Sequence, residues 1–129
     1  MSQHILVVDD EAAIHEMLAS FLVKRGYEVS VAATEDEAQI QAHLADLVIL
    51  DVALGDTDGM ELLTLLKKAH PCLPVIIITA MGFDDGLILE ALDRGASGYL
   101  SKTLPLEQIL MEVQRVLAGG EDSKSSESS

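Results

Sequence analysis

The sequence predicts an α/β fold, a (βα)5 doubly wound parallel sheet with strand order 2-1-3-4-5, on three observations. Short apolar segments alternate five times with stretches whose apolar residues recur at helical spacing. Four of the five short segments are apolar along their whole length, which is typical of strands covered on both faces. The second segment is weaker, which favours a position at the edge of the sheet. In this order, the switch point of the sheet lies between strands 1 and 3.

Each predicted strand is followed by a predicted helix. The strand candidates are residues 5–8, 28–31, 47–50, 75–78 and 98–100. The first helix is expected to end at Gly26, and the second to begin with a Thr34–Glu37 capping box and end near His43. The third carries the apolar stripe Leu62–Leu66 and ends before Pro71, and the fourth ends at Gly95. The fifth has Pro105 in its first turn and is followed by Gly119 and Gly120.

Composition limits the class of protein. The chain has 129 residues, of which 49% are hydrophobic, so residues 1–119 are expected to form one globular domain. Residues 120–129 are rich in Ser and charge, which predicts a disordered tail or linker. A net charge of −14 argues against direct nucleic-acid binding and against an anionic membrane surface. The sequence has neither a signal peptide nor a run of 18 apolar residues, so a cytoplasmic location without membrane contact is expected.

Cysteine and histidine contribute little to the predicted chemistry. Cys72 is the single cysteine, which excludes an internal disulfide and a multi-thiolate metal site, and it is expected to be a free thiol in a loop. The four histidines show no paired ligand spacing and are expected to be surface or strand-start residues. They are His4, His15, His43 and His70.

Polar residues follow four of the predicted strands where each strand ends. They are Asp9 and Asp10, Asp51, Thr79 and Lys102. Ligands of open parallel sheets bind outside the carboxyl ends of the strands, so these side chains are expected to meet at one edge. Crowded carboxylates need a cation or a raised pKa. Mg²⁺ (or Mn²⁺) suits one or two carboxylates, waters and a phosphate oxygen.

Each of these residues also has an ordinary structural explanation when it is taken alone. Asp9 and Asp10 fit the N-terminus of a helix, where carboxylates are favoured. Asp51 fits the start of a turn, Thr79 a strand end, and Lys102 a solvated surface. Their coincidence at four strand ends is hard to explain structurally. Asp51 then suits a nucleophile that accepts a phosphoryl group, with Lys102 as the charge-neutralising cation and Thr79 as a hydroxyl donor.

Over about residues 3 to 118, the sequence resembles the receiver domain of two-component response regulators, which has a flavodoxin-like, CheY-like fold. The matching stretches are residues 5–11 (ILVVDDE), 47–51 (LVILD), 58–62 (DGMEL), 76–80 (IIITA) and 95–102 (GASGYLSK). Their order and spacing make the resemblance specific. It implies a phosphoacceptor with weak autophosphatase activity, not a dedicated enzyme, and a sensor histidine kinase or histidine phosphotransfer protein as the partner.

The resemblance also implies a role for individual residues. Asp51 accepts the phosphoryl group, and Asp9, Asp10 and the backbone carbonyl of Ala53 hold the metal with it. Lys102 pairs with Asp51 or with its phosphate. The other implied positions are Thr79 and Ala80 at the phosphate, Tyr99 as the switch partner of Thr79, and Ala53 and Met81 as the positions that set the hydrolysis rate. A homodimer through helix 4, strand 5 and helix 5 is possible in this family.

Two departures from the family pattern put loop geometry in doubt. Proline usually follows the family's lysine, often across a cis bond, whereas Thr103 follows Lys102 here. A cis bond before a residue other than proline costs about 2.5–4 kcal/mol, so the isomer of this bond is an open question. Gly55 stands where the family often has proline, and the nearby Asp56 and Asp58 are expected to add charge near the metal.

Four rival classes have to be weighed against this interpretation. A haloacid-dehalogenase-type phosphatase needs an acid two residues after its nucleophile, where this chain has Ala53. A calcium loop around Gly59 would have Leu54 and Leu65 at its first and twelfth positions. A flavodoxin-like electron carrier needs a hydroxyl-rich loop where Asp9 and Asp10 stand. The fourth class, a pseudo-receiver that binds partners without accepting phosphate, stays open as the alternative.

Overall fold

The computed structural model describes residues 3–54, 57–80 and 85–128 of the chain. The strands of the main sheet are β1 (His4–Val8), β2 (Glu28–Ala32), β3 (Leu47–Asp51), β4 (Val75–Thr79) and β5 (Gly98–Ser101). The α-helices in these residues are α1 (Ala12–Lys24), α2 (Glu35–Gln41), α3 (Gly59–Ala69), α4 (Asp85–Asp93) and α5 (Leu106–Ser128). A 3₁₀ turn, Ala42–Leu44, follows α2. Residues Ala53–Leu54 and Thr57–Asp58 form a short antiparallel pair.

The main sheet is parallel throughout and has the predicted order, 2-1-3-4-5. β2 lies at one edge, as its weaker apolar character indicated. The chain reverses direction across the sheet between β1 and β3, where Val8 is the register partner of Leu50. The residues that follow these two partners, Asp9 and Asp51, therefore leave the sheet side by side. This switch point is where open α/β sheets form their binding crevice.

Alternate residues of each central strand face opposite layers of helices. On one face, Leu6, Leu50 and Ile77 belong to a core cluster that includes residues of α2, α3 and α4. On the other face, Ile49 and Ile78 belong to a cluster that includes residues of α1 and α5. Because both faces are covered, strand residues of both alternating sets are buried, which explains the continuous apolar runs in the sequence.

Several helix ends follow the predicted local chemistry. The Thr34 hydroxyl accepts a hydrogen bond from the Glu37 N–H at 3.2 Å, while the Glu37 carboxylate accepts one from the Ala33 N–H at 2.9 Å. Gly26 and Gly95 follow α1 and α4 with positive φ angles of 99° and 104°. Glycine adopts this left-handed conformation without the steric cost that other residues meet, so both helices end where predicted.

The last helix has Pro105 in its first hydrogen-bonded turn, as predicted, but extends beyond its predicted end. Pro105 lies immediately before the first helical residue, where its carbonyl accepts hydrogen bonds from the Gln108 and Ile109 N–H groups. The helix then continues past Gly119 and Gly120 to Ser128, because each further residue of an existing helix adds one backbone hydrogen bond. The assignment of residues 120–129 to a tail or linker outside the domain stays a prediction. No helix among the described residues is both long enough and apolar enough to cross a bilayer.

Candidate functional site

Three carboxylates converge where β1 and β3 end. Asp9 and Asp51 are buried, with exposed fractions of 0% and 2%, while Asp10 is exposed to solvent. Each offers one oxygen, and these oxygens all lie within 4.8 Å of one another. The sheet topology accounts for this convergence, since Asp9 and Asp51 follow register partners in neighbouring strands.

Backbone hydrogen bonds hold Asp9 at this position. Its N–H donates to the Ala32 carbonyl at 3.0 Å, so the sheet pattern continues one residue beyond β1. Its Oδ1 accepts a hydrogen bond from the Glu11 N–H at 2.8 Å. The residue that precedes α1 is Glu11, whose side chain makes no capping bond, so the acidic pair does not serve as the side-chain cap of this helix. Asp9 and Asp10 are therefore not the side-chain caps of α1, although both lie just before its N-terminus.

Lys102 brings the positive charge to the cluster from the end of β5. Its Nζ donates to Asp51 Oδ2 at 3.0 Å and to Glu11 Oε1 at 2.6 Å, and it lies 3.0 Å from Asp9 Oδ2. Only 9% of the lysine side chain is exposed. Burial by itself would lower the pKa of Lys102, but the carboxylates of Glu11, Asp51 and Asp9 outweigh it and raise that pKa well above its usual value. The lysine is therefore an ammonium ion at any physiological pH.

The geometry fits a divalent cation. The cluster holds four carboxylates, three of which pair with its one ammonium group, so it keeps excess negative charge. Asp9 Oδ2 is buried, and its partner among the described residues is the Lys102 ammonium, 3.0 Å away. Two oxygens on one Mg²⁺ lie at most about 4.2 Å apart, close to the spacing of this cluster. Asp9, Asp10 and Asp51 are the residues that would hold such an ion, and their donors are all hard oxygens.

The remaining predicted site residues lie around this cluster at known positions. Thr79 ends β4 and is buried, and Ala80 follows it in an exposed turn. Tyr99 lies in β5, is half-buried and packs against the core cluster of α2, α3 and α4. The backbone of Ala53 lies in the short antiparallel pair that follows Asp51, and Met81 lies outside the described residues. The roles of all these residues stay predictions.

The first residue of α3 lies against the backbone beside Asp51. A Cβ on Gly59 would meet the Val52 Cα at 2.6 Å and the Asp51 carbonyl oxygen at 2.7 Å. The Gly59 N–H also donates to the Val52 carbonyl at 3.1 Å. Only glycine lets α3 begin so close to the end of β3, which explains in physical terms why this position carries no side chain.

We therefore expect Gly59→Ala to destabilise the protein by about 1–3 kcal/mol, since backbone atoms on both sides would have to separate. Urea unfolding monitored by circular dichroism measures this loss. Gly86 is exposed in α4 and offers a matched control. Gly86→Ala, an exposed change in the first turn of α4, should alter the free energy of unfolding by no more than about 0.5 kcal/mol. Equal effects of the two substitutions would contradict the close approach at Gly59.

Sequence reasoning missed one member of the ionic cluster and did not foresee the capping role of another acidic residue. Glu11 received no role, although its carboxylate makes the shortest contact to Lys102. Glu11 directly follows Asp9 and Asp10 in the sequence, and this position could have indicated that it belongs to the cluster. Asp58, which was expected to add charge near the metal, has an exposed carboxylate that accepts a hydrogen bond from the Met60 N–H at 2.9 Å and caps α3, so its effect on the metal stays a prediction. Asp56 lies outside the described residues.

Three histidines make contacts that the sequence did not indicate. His15 is half-buried, and its Nδ1 lies 2.9 Å from the Asp9 carbonyl oxygen. The rings of His43 and His70 meet edge to face, with centroids 4.9 Å apart. In the described ranges, the three aspartates are the only group of three or more His, Cys, Asp or Glu residues close enough to share an ion. The Lys102–Thr103 bond is trans, as are the other described peptide bonds.

Comparison with known proteins decides the family. A model of the response regulator receiver domain matches residues 5–114. The chain belongs to the response regulator receiver family. Regulatory protein VanRc of Enterococcus gallinarum is 39% identical to this receiver over 112 residues, which are 84% of the receiver and 48% of VanRc. Chemotaxis protein CheY of Bacillus subtilis is 31% identical over 121 residues, which are 91% of the receiver and 99% of CheY. The receiver thus spans about half of one relative and nearly all of the other.

Solved structures confirm the fold class. A CheY-like receiver domain protein from Methanospirillum hungatei JF-1 matches with a TM-score of 0.88 and 29% identity, covering 95% of the receiver and 99% of that chain. A response regulator protein from Burkholderia pseudomallei, solved with a phosphorylated aspartic acid, a calcium ion and citrate, matches with a TM-score of 0.81 and 27% identity. That match covers 98% of the receiver and 75% of the other chain. The predicted flavodoxin-like order of strands and helices is confirmed.

Proposed function

We propose that this receiver accepts a phosphoryl group on Asp51 in a reaction that requires Mg²⁺ or Mn²⁺. The observation that carries the proposal is the position of Asp51. Its carboxylate is nearly fully buried, donor oxygens of Asp9 and Asp10 lie within 4.8 Å, and Lys102 Nζ lies 3.0 Å from Oδ2. An acceptor of phosphate needs this combination, because negative charge accumulates on the phosphoryl oxygens during transfer.

The chemistry is an in-line displacement at phosphorus. A carboxylate oxygen of Asp51 forms a bond to phosphorus while the donor's bond breaks, which is P–N for a phosphohistidine and P–O for acetyl phosphate. The leaving imidazole or acetate takes the bonding electron pair. Lys102 places a permanent positive charge at the carboxylate that reacts. A divalent cation held by Asp9, Asp10, Asp51 and the Ala53 carbonyl would neutralise charge on the phosphoryl oxygens.

The phosphoryl group would change the receiver through a two-state equilibrium. In the phosphorylated state, the Thr79 hydroxyl and the Ala80 backbone bind a phosphoryl oxygen, and the ring of Tyr99 turns into the space that Thr79 leaves. Tyr99 is already half-buried against the core, so a small movement would alter its exposure. The face formed by α4, β5 and α5 then changes shape and becomes the surface for an output partner or a second copy of the chain.

The donor of the phosphoryl group would be a sensor histidine kinase or a histidine phosphotransfer protein, which places the reaction in the cytoplasm. Family membership supports this proposal. The Burkholderia pseudomallei neighbour, with its phosphorylated aspartic acid and calcium ion, supports both acceptor chemistry and an oxygen-ligated cation. Neither direct nucleic-acid binding nor membrane binding is part of the proposal, because the chain is strongly acidic.

Incubation with acetyl phosphate and Mg²⁺, followed by intact mass measurement, tests the proposal. We expect the wild-type protein to gain the mass of one phosphoryl group, and we expect chelation of the cation with EDTA to prevent the gain. Asp51→Asn should show no gain under the same conditions. A wild-type protein that gains no mass with Mg²⁺ or Mn²⁺ would favour the alternative, a pseudo-receiver that binds partners without being phosphorylated.

Self-dephosphorylation is expected to be slow. In the family, the residues two positions after the phosphorylated aspartate and after the switch threonine flank the route of the hydrolytic water. Here they are Ala53 and Met81, neither of which can orient water by a strong side-chain hydrogen bond. Release of inorganic phosphate from the purified phosphoprotein measures the rate. We expect Ala53→Asn to accelerate release, whereas a wild-type half-life of only seconds would contradict this account.

A further inference from the structure

The connection from β5 to α5 fixes the backbone of Lys102 at its amide. The Lys102 N–H donates to the Thr79 carbonyl at 2.7 Å, and Ser101 is the register partner of Thr79 in the sheet. Two residues later, the Leu104 N–H donates to the Ser101 carbonyl at 3.1 Å and closes a tight turn. Lys102 lies inside this turn, so the direction of its side chain depends on the residues on either side.

Two hydroxyl groups flank Lys102 and bind each other across it. Ser101 Oγ and Thr103 Oγ1 lie 2.7 Å apart, and the Thr103 N–H donates to Ser101 Oγ at 3.1 Å. Ser101 is 1% exposed, so its hydroxyl needs partners within the protein. Ser101 Oγ accepts a hydrogen bond from the Thr103 N–H, so its own hydroxyl proton is available to donate to Thr103 Oγ1. The pair therefore ties residues 101 and 103 together in two ways.

We infer that the Ser101–Thr103 hydroxyl pair is a positioning element for Lys102, an inference that rests on the proposed function of Asp51. Receivers usually have proline after this lysine, and its ring fixes the φ angle of the backbone. Thr103 has no ring, and the bond before it is trans. The hydrogen bonds of the hydroxyl pair supply the missing constraint. They hold the lysine where its ammonium reaches the carboxylates of Asp51 and Asp9.

If the hydroxyl pair positions Lys102, removing the pair should slow phosphoryl transfer without weakening cation binding. The hydroxyl pair touches neither Asp9 nor Asp10 in the described hydrogen bonds, so the metal ligands should stay in place when it is removed. Lys102 would instead sample other directions and meet the phosphoryl donor less often. We expect Ser101→Ala and Thr103→Val each to lower the second-order rate constant for phosphorylation by acetyl phosphate roughly three- to tenfold. Affinity for Mg²⁺ should not fall, because every carboxylate of the cluster is retained and a displaced ammonium competes less with the cation.

The conservative and combined variants distinguish positioning from a general loss of structure. Thr103→Ser keeps the hydroxyl and should retain the wild-type rate within about twofold, as should the control Ser20→Ala on the exposed face of α1. The Ser101→Ala/Thr103→Val double variant should lose no more than the larger single loss. In a Lys102→Gln background, Thr103→Val should have no further effect on the rate, since the residue it positions is gone.

An undiminished effect of Thr103→Val in the Lys102→Gln background would overturn the inference. So would an unchanged rate in both single variants while Lys102→Gln is impaired. Failure of the proposed function is recognised separately, because the wild-type protein would then take up no phosphoryl group at all. In that case the free energy of unfolding tests the inference instead. The stability lost in Thr103→Val should be at least halved when the same substitution is made in the Lys102→Gln background. An equal loss in both backgrounds would also overturn the inference.

Discussion

Lys102→Gln is expected to destabilise the metal-free receiver by about 2–3 kcal/mol at neutral pH, and Mg²⁺ is expected to recover most of that loss. The substitution leaves the buried carboxylates of Asp9 and Asp51 without their ammonium partner. Removing one partner of a fully buried ion pair costs about 3–5 kcal/mol, and the open side of this cluster, where Glu11 is exposed, reduces that cost. Urea unfolding with and without Mg²⁺ measures both effects.

Lys68→Gln provides the matched control, because Lys68 is an exposed lysine of α3 outside the cluster. Its stability should change little, with or without Mg²⁺. If Lys102→Gln behaved in the same way, the ionic cluster would not hold the site together. An equal loss with and without Mg²⁺ would show that the cation does not take over the charge of the lysine.

The pKa of Lys102 sets the sign of the accompanying pH dependence. Its carboxylate partners raise the folded-state pKa above that of an unfolded lysine, about 10.4. The stabilisation by the ammonium is therefore complete below that pH and is lost as the pH rises through the folded-state value. The stability difference between wild type and Lys102→Gln should accordingly stay constant from pH 7 to about pH 10.

Asp10→Asn is expected to weaken Mg²⁺ binding by at least about tenfold while raising the unfolding midpoint of the metal-free receiver. Asp10 supplies one oxygen of the three-carboxylate group but makes no ion pair with Lys102, which contacts Asp9, Glu11 and Asp51 instead. Its charge therefore adds repulsion that no ammonium offsets. Titration calorimetry with Mg²⁺ and thermal unfolding in EDTA measure the two effects.

Glu16→Gln serves as the control for this second prediction, since Glu16 is an exposed carboxylate of α1. It should leave the affinity for Mg²⁺ unchanged. An Asp10→Asn protein that binds Mg²⁺ as tightly as the wild type would remove Asp10 from the metal site. A lower midpoint in EDTA would mean that the Asp10 carboxylate stabilises the metal-free fold.

The sequence was sufficient to predict the sheet and the convergence of Asp9, Asp51 and Lys102, for a definite physical reason. Continuous apolar strands must be covered on both faces, and parallel strands bring all their carboxyl ends to one edge. Asp9 and Asp51 therefore had to emerge together once β1 and β3 were neighbours. The roles of the site residues follow from chemistry and resemblance, and they await the experiments above.

Side-chain partners that depend on distances across the fold could not be predicted in the same way. Glu11 reaches Lys102 over 91 positions of sequence, and no local pattern encodes that contact. The sequence showed that Thr103 replaces the family's proline, but it did not show that the Thr103 hydroxyl pairs with that of Ser101. The continuation of α5 through Gly119 and Gly120 runs against the low helix propensity of glycine, so local preference alone placed its end too early.

Localisation of the phosphoryl group tests the central claim most directly. The protein is phosphorylated with acetyl phosphate and Mg²⁺, reduced with borohydride to trap the acyl phosphate, digested, and analysed by peptide mass spectrometry. The account predicts one trapped residue, Asp51, and none after chelation of the cation. Labelling of a histidine or of another carboxylate, or labelling of Asp51 that persists without a divalent cation, would contradict it.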